Sequence, residues 1–363
     1  MKSKKCLFSG LLLVTCLITT QAQRRNEIVV PNLDGYVTMK CDFHMHTVFS
    51  DGLVWPTVRV EEAYREGLDA ISLTEHIEYL PHKQDIVGDH NRSYELTQKY
   101  AKNLGILLIK GSEITRNMPP GHFNAIYLTD SNPLEQKEYK NAFAEAKKQG
   151  AFIFWNHPGW ARQQPDSTKW WPEHTQLYKE GYMQGIEVAN GSLFVPEAIQ
   201  WCLDRNLTML GTSDIHQPIQ ADYDFSKGEH RTMTFVFAKE RSLKGIREAL
   251  DNRRTAAYYQ DMVIGREEIL RPFFEKCIEI KEVRRSSKGV TLSFYNPTDL
   301  VLKLKKTAHD VSLVYFREMV IKPHTLYNIV IKLENGIQGG SCNFEVTNFI
   351  VAPNKGLNYT LNL

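Results

Sequence analysis

The sequence predicts an α/β unit followed by a small all-β unit, and three observations carry that reading. From residue 35 to about 260, short apolar runs alternate with amphipathic stretches of helical period. Gly67, Gly105 and Gly150 each stand between such a stretch and the next apolar run, where a helix C-terminal glycine belongs. Beyond about residue 262 the amphipathic stretches stop and closely spaced strand patterns take over. At 363 residues, with 42% hydrophobic and 24% charged, the chain is long enough for two domains and too apolar for wholesale disorder.

In order, strands are expected at 37–43, 68–73, 106–110, 123–128, 151–155, 185–188, 207–211 and 232–238. Helices are expected at 57–66, 94–103, 135–149, 196–205 and 243–252. Strand–helix–strand repeated in this way implies a parallel sheet with crossover helices. The number of strands suits a closed barrel better than an open sheet, and sequence alone leaves both standing. No Pro- or Ser-rich linker follows, so the boundary lies softly between 262 and 272, with a first unit at 35–262 and a second at 272–363. In the second unit strands are expected at 277–283, 290–295, 301–305, 311–316, 326–331 and 342–351, with no helix among them. Turns at Asn296-Pro297-Thr298-Asp299 and Glu334-Asn335-Gly336 complete the pattern of a small β-sandwich.

The amino terminus reads as an address. Lys2, Lys4 and Lys5 precede an apolar run from Cys6 to Ile18, and Thr20 and Ala22 fit the small positions of a cleavage site. A signal peptide at 1–22, cut after Ala22, makes the mature protein periplasmic or secreted. A lipid on Cys16 is the lesser alternative, because bulky Thr15 precedes it. No later stretch is long and apolar enough to span a membrane. The formal charge of +2 becomes −1 once the three leader lysines leave, so no basic field invites nucleic acid. Cys41, Cys202, Cys277 and Cys342 are far apart and form no CxxC, which excludes a thiolate zinc site and a disulfide-dense scaffold. They read as small buried hydrophobes, with a Cys277–Cys342 bridge as the alternative.

The chemistry lies at the carboxyl ends of the first unit's strands. His44-Met45-His46 and Asp51 follow the first strand, and Thr74-Glu75-His76 the second. Glu113 follows the third, His122 opens the fourth, Asn156-His157-Pro158 follows the fifth, and Asp214-Ile215-His216 follows the strand at 207–211. In barrels the active site sits at this rim, because the loops after the strands meet there. Any one of these histidines alone is more often a surface or hydrogen-bonded residue than a ligand. Six His, two Asp and one Glu at one rim are a different matter. His82, His90, His174, His309 and His324 follow no such rule and read as surface residues.

As a set, His44-Met45-His46, Ser50-Asp51-Gly52, Thr74-Glu75-His76, Glu113, His122, Asn156-His157-Pro158 and Ser213-Asp214-Ile215-His216 resemble the motifs of the polymerase-and-histidinol-phosphatase (PHP) superfamily. The resemblance covers about residues 35–260 and fills all nine ligand positions; Glu75 stands where Asp is the more usual neighbour of the histidine, at a position that is not a ligand. The export signal, the segment from Gly245 to Thr255 and the added β unit look like the secreted, Bacteroides-type branch, which includes a phosphodiesterase described from Sphingobacterium. The resemblance implies a distorted (β/α)7 TIM-like barrel around a trinuclear metal centre. It places His44, His46, Glu113 and Asp214 around one ion, Glu113 bridging to a second held with His122 and His157, and Asp51, His76 and His216 around a third. Nitrogen and carboxylate ligands without thiolate suit two or three divalent ions of Mn, Zn or Fe. Hydroxide formed between adjacent cations would be the nucleophile, so no serine or cysteine is needed; the general acid is not identifiable.

Arg162, four residues past Pro158, is a candidate for a phosphate oxygen. Asn190, at the rim after 185–188, is another. His230 and Arg231 precede the strand at 232–238, so in a parallel sheet they belong to the opposite end unless the loop folds back. Trp170 and Trp171 either wall the pocket or cap the barrel. The function expected is an exported metal-dependent phosphoesterase acting on small-molecule phosphate mono- or diesters. The alternatives are a non-catalytic, metal-containing binding protein whose β unit takes a glycan or partner, and an amidohydrolase on the same barrel.

Overall fold

The computed structural model describes residues 25–307 and 311–363. The expected leader at 1–22, its cut after Ala22, and His309 lie outside them. Strands β1 (Val37–Asp42), β2 (Ala70–Leu73), β3 (Leu107–Ile114), β4 (Phe123–Ile126), β5 (Phe152–Trp155), β6 (Gly185–Asn190) and, after a short β7 (Leu193–Phe194), β8 (Thr208–Thr212) lie in the order β1-β2-β3-β4-β5-β6-β8. The ring closes at its carboxyl rim. There Met45 bridges to Ile215, the Asp214 N–H donates to His44 O (2.9 Å), and the His46 N–H donates to Ile215 O (3.0 Å). β2, β4, β5, β6 and β8 are buried along their whole length, as strands covered on both faces must be.

The sheet is not fully parallel. β4 runs antiparallel to both β3 and β5. The connection from Ile114 to Phe123 contains no helix, and a parallel crossover needs about a dozen residues or more. β9 (Met233–Ala238) also runs backwards against β1, from Val37 opposite Ala238 to Cys41 opposite Thr234. β10 (Thr255–Tyr259) and β11 (Met262–Gly265) then add an antiparallel hairpin that the sequence reading did not contain. Threonine hydroxyls seal the seam between β8 and this hairpin. Thr234 Oγ1 accepts from the Gly211 N–H (3.0 Å) and donates to Gly211 O (2.7 Å), and Thr255 Oγ1 donates to Met209 O (2.7 Å). A Cβ on Gly211 would meet Met233 O at 2.7 Å, so only glycine allows this approach.

Helices α1 (Pro56–Arg65), α2 (Arg92–Leu104), α3 (Tyr139–Lys148), α5 (Pro196–Asp204) and α6 (Leu243–Asp251) match the expected stretches. α3 starts four residues later than read, because 135–138, just after the 3₁₀ turn Asn132–Leu134, are irregular chain and bend. The short α4 (Pro172–Lys179), after the long loop beyond His157, was not anticipated.

The expectation of no helix past residue 262 is corrected by α7 (Glu267–Cys277), which straddles the expected start of the second unit. Pro272 inside it hid the pattern. The buried face is nonetheless helical in period: Leu270, Phe273, Phe274 and Cys277. The strands that follow are β12 (Glu279–Ser286), β13 (Gly289–Tyr295), β14 (Leu302–Lys306), β15 (Leu313–Val314), β16 (Glu318–Ile321), β17 (Leu326–Leu333), β18 (Ser341–Ala352) and β19 (Lys355–Asn362). β12, β13, β17 and β15 form one sheet; β16, β14, β18 and β19 form the other, which continues into the barrel sheet where β18 pairs in parallel with β11. α7 is packed between the two units. Phe273 meets Phe235 and Phe237 of β9, and Phe273 and Phe274 both meet Phe349 of β18. One hydrophobic core therefore runs from Val60 of α1 to Leu357 of β19. The four described cysteines are buried and unbridged, Cys277 and Cys342 included.

Candidate metal centre

β1 and its rim extension aim alternate residues at one face, so His44 and His46 point together into the barrel mouth. Their Nε2 atoms lie 3.1 Å apart. Asp214 Oδ1 is 3.0 Å from His44 Nε2 and 3.1 Å from His46 Nε2; Glu113 Oε2 is 3.3 and 3.2 Å from the same atoms. The other oxygen of Glu113, Oε1, faces His122 Nδ1 at 2.7 Å and His157 Nε2 at 3.7 Å. Asp51 Oδ1 faces His216 Nε2 (3.2 Å), His76 Nε2 (3.4 Å) and His46 Nδ1 (3.8 Å). All nine candidate side chains are thus brought together. His76 also turns its Nδ1 toward Glu113 Oε2 (3.0 Å), so it joins two of the groups rather than standing with Asp51 alone.

The local chain explains the convergence. A bridge between His76 and Glu113 extends the β2–β3 pairing to the rim. The turn that carries Asp51 folds back over His46, where a Cβ on Gly52 would meet the His46 carbonyl carbon at 2.5 Å. His157 (φ 29°) and Asp214 (φ 50°) hold left-handed backbone conformations that cost energy in a non-glycine residue; such strain is characteristic of functional positions.

The donor set fits divalent cations. Asp51 Oδ1, Glu113 Oε1, His122 Nδ1 and Asp214 Oδ1 are buried with no hydrogen-bond partner. Each nonetheless lies close to other ligand atoms: Glu113 Oε1 is 2.7 Å from His122 Nδ1, Asp214 Oδ1 3.0 and 3.1 Å from two imidazole nitrogens, and Asp51 Oδ1 3.2 Å from a third. Two imidazole nitrogens 3.1 Å apart repel unless a cation or proton lies between them. Imidazole and carboxylate together, with no thiolate, suit first-row divalent ions.

A cleft of ≈ 1780 Å³ opens over this cluster. Arg162 lines it, exposed, with its guanidinium 5.7 Å from the Trp160 ring centre. Asn190 lines it too, but its Nδ2 donates to Glu187 Oε2 (2.8 Å) and lies 3.3 Å from Asp214 Oδ2, so it braces the cluster. His230 lies at this rim, not the opposite one, because β9 is antiparallel and starts there; its ring stacks on Tyr258 at 3.7 Å and lines the cleft. Arg231 is corrected as a substrate contact. It is fully buried, with Nε and Nη2 each 2.7 Å from Glu66 and Nη1 3.1 Å from Asp42. Trp170 caps the barrel against Trp155 and Trp201. The tryptophan that lines the cleft is instead Trp160, against the rings of His122 and His157, a residue the sequence reading passed over.

Solved structures and known sequences resemble this arrangement. A two-domain protein from Bacteroides vulgatus, containing a predicted PHP-like metal-dependent phosphoesterase, is 77% identical over 94% of this chain and 100% of its own, with a TM-score of 0.94. The chain belongs to this family of PHP-like two-domain proteins. A family model described as an Ig-like domain matches residues 278–362, the β unit. A 5'-3' exoribonuclease from Haemophilus influenzae is 33% identical over 81 residues, which is 22% of this chain and only 25% of that protein's length.

The PHP-like cluster is held by buried carboxylates that the sequence reading missed or passed by. Glu187, on β6, accepts from Thr212 Oγ1 (2.6 Å) and the His157 N–H (2.6 Å) and lies 2.8 Å from His44 Nδ1. It orients one imidazole and the backbone of another. Glu75 accepts from Thr47 Oγ1 (2.5 Å) and Ser50 Oγ (2.6 Å), which fixes the turn that carries Asp51. Glu187→Gln is expected to lower metal affinity or turnover by about 10–100-fold with the fold retained. Titrating this variant and the wild type with Mn²⁺ and following turnover checks this, and wild-type affinity together with wild-type turnover would refute it.

Charge within the PHP-like cluster follows from burial and proximity. Burial alone would raise the Glu113 carboxyl, but His76, His122 and His44 hold it well below its ordinary value. Burial would likewise raise the Asp214 carboxyl, but His44, His46 and His216 hold it well below its ordinary value. Burial pushes His122 down despite Glu113 beside it.

His174, read as a surface residue, is fully buried. Its ring lies 3.8 Å from that of Trp155; Nδ1 accepts from the Trp171 N–H (3.1 Å) and Nε2 donates to Pro120 O (2.7 Å), which fixes the loop before His122. Burial pushes its pKa down from 6.5 to about 4. The unfolded chain therefore binds this proton more readily, so stability is full above pH 6.5 and falls as pH drops toward 4, by about 3 kcal/mol. Urea unfolding at a series of pH values is expected to show a smaller acid loss in His174→Gln than in the wild type; equal losses would count against it.

Proposed function

We propose that the protein is an exported phosphoesterase that hydrolyses phosphate esters of small molecules at a centre of two or three divalent ions of Mn, Zn or Fe. His44, His46, Glu113 and Asp214 would hold one ion; Glu113 would share a second with His122 and His157; Asp51, His76 and His216 would hold a third. Such ions supply Lewis acidity toward phosphoryl oxygens and lower the pKa of water. The chain's own part is to fix the ligands. Glu187, Asn190 and Thr212 hold His44, the His157 backbone and Asp214 in place. Arg162, a cation lining the cleft with its guanidinium beside Trp160, would reach a phosphate oxygen. The observation that carries the reading is the Glu113 carboxylate, almost fully buried, with one oxygen turned to His44 and His46 and the other to His122.

Small esters rather than nucleic acid are favoured by the near-neutral charge of the chain. Export is favoured by the lysine-led apolar run before Ala22; an amino terminus other than Gln23 on protein recovered from the periplasm or medium would refute that cut. The activity is tested with purified, metal-analysed protein on p-nitrophenyl phosphate, bis-p-nitrophenyl phosphate and an oligoribonucleotide. Metal-restored release of p-nitrophenol supports the reading. No turnover of either ester at full metal loading would overturn it.

A further inference from the structure

The cleft is larger than a phosphate and a small ester require. Most ligand pockets measure about 300–1,000 Å³, against ≈ 1780 Å³ here. Its far end is not made by the barrel rim alone. Asp299, Val301 and Pro323 of the C-terminal domain line it together with Tyr258, Gln260 and Asp261 of the β10–β11 hairpin.

This wall is fixed in place. Asn348, 3% exposed, donates to both Asp261 O (2.6 Å) and Val301 O (2.7 Å), and its Oδ1 accepts from the Lys303 N–H (3.0 Å). Lys303 Nζ pairs with Asp261 Oδ2 at 2.5 Å. Fully buried Asn296 shapes the turn before Val301: its Nδ2 donates to Leu300 O (2.6 Å) and its Oδ1 accepts from the Thr298 N–H (2.9 Å). The Asp299 carboxylate is engaged by the Val29 N–H (2.6 Å) and by His324 Nε2 (2.6 Å), so the amino-terminal segment straps the turn down. A domain held by these bonds and by the β11–β18 pairing cannot swing clear of the cleft as a tethered module would.

We infer that the C-terminal domain is the specificity wall of the active cleft, and that the substrates are phosphate esters of an extended, hydroxyl-bearing group reaching from the metal rim to Val301 and Pro323. The inference deepens the phosphoesterase reading and rests on it. The cleft presents the ring of Trp160 at its metal end, against His122 and His157, and those of Tyr223 and Tyr258 elsewhere along its wall. Away from the metal ligands the lining holds Asp222 and Glu229 against Lys227, while Asp261 is already paired with Lys303 and Asp299 with the Val29 N–H and His324. Aromatic faces and the carboxylates of Asp222 and Glu229 suit the rings and hydroxyls of a polyol, and this small excess of negative charge disfavours a second phosphate. One phosphate at the metal end and a phosphate-free, glycosyl-like chain at the other satisfies both.

The test compares kcat/KM of the full, metal-loaded chain for a trisaccharide phosphate and a monosaccharide phosphate, with p-nitrophenyl phosphate as the reference ester. The wild type is expected to favour the longer glycosyl phosphate by about tenfold or more, mainly through KM. Val301→Trp and Pro323→Trp, made separately so that one misfolded variant does not decide the matter, are each expected to cut that ratio by about tenfold. Turnover of p-nitrophenyl phosphate with no preference for the longer ester, or a ratio within about twofold of wild type in a folded variant, overturns this inference alone. No turnover of any ester overturns the phosphoesterase reading with it.

Discussion

Glu113→Gln is expected to lower turnover of a phosphate ester by roughly a thousandfold or more and to leave the protein short of metal. The substitution keeps volume and shape but exchanges a carboxylate oxygen for an amide NH₂. Glu113 is 1% exposed at its side chain and faces His44, His46 and His76 with one oxygen and His122 with the other. An amide can present only one acceptor atom, so one of the two sides meets N–H hydrogens where it needs a lone pair. If the carboxylate is shared between ions, both are weakened at once. Metal-to-protein ratio and steady-state kinetics on the same preparation check this. A variant with full metal content and turnover near wild type would show that Glu113 is not shared.

Arg231→Met is expected to cost the fold about 3–5 kcal/mol. The guanidinium is fully buried and answers two carboxylates, Asp42 and Glu66. Burial raises the carboxyl of each, and the Arg231 charge is what opposes that rise. Without it buried Asp42 and the largely covered Glu66 lose the cation they share. Asp42 also accepts from the Ser213 N–H (3.1 Å), beside Asp214, so the damage reaches the rim. Urea midpoints measure the loss. Adding Asp42→Asn and Glu66→Gln to Arg231→Met should recover much of it, because the uncompensated charges are then gone. A single variant that loses less than about 1 kcal/mol would contradict the assignment.

The convergence of the nine rim side chains was legible because eight follow a recognisable apolar run and His122 immediately precedes one, and strand ends are local information. Glu187 was not. It sits inside Gly185-Ile186-Glu187-Val188, where one acid in an apolar run resembles a strand's outward face. The usable signal was that this strand needed no polar face, having helices outside and ligands inside. The place of His230 and Arg231 depended on strand direction, which hydrophobic periodicity does not carry; α and β alternate in sequence whether a strand runs up or down. The role of Arg231 was hidden for a related reason, since its partners Asp42 and Glu66 are far off in the chain. α7 was obscured by Pro272, a residue that normally ends a helix pattern.

The aromatic packing around α7 bears on how the molecule is made. The ring of strands is complete in sequence by Gly265, yet Phe274, and the side of Phe273 turned away from β9, meet Phe349 and Tyr359 near the other end of the chain. During synthesis the nascent barrel carries an uncovered greasy flank and an open edge on β11 until the last strands arrive. Shortening the protein to its catalytic half would make that transient condition permanent, and the product would be expected to clump rather than to work as a smaller enzyme.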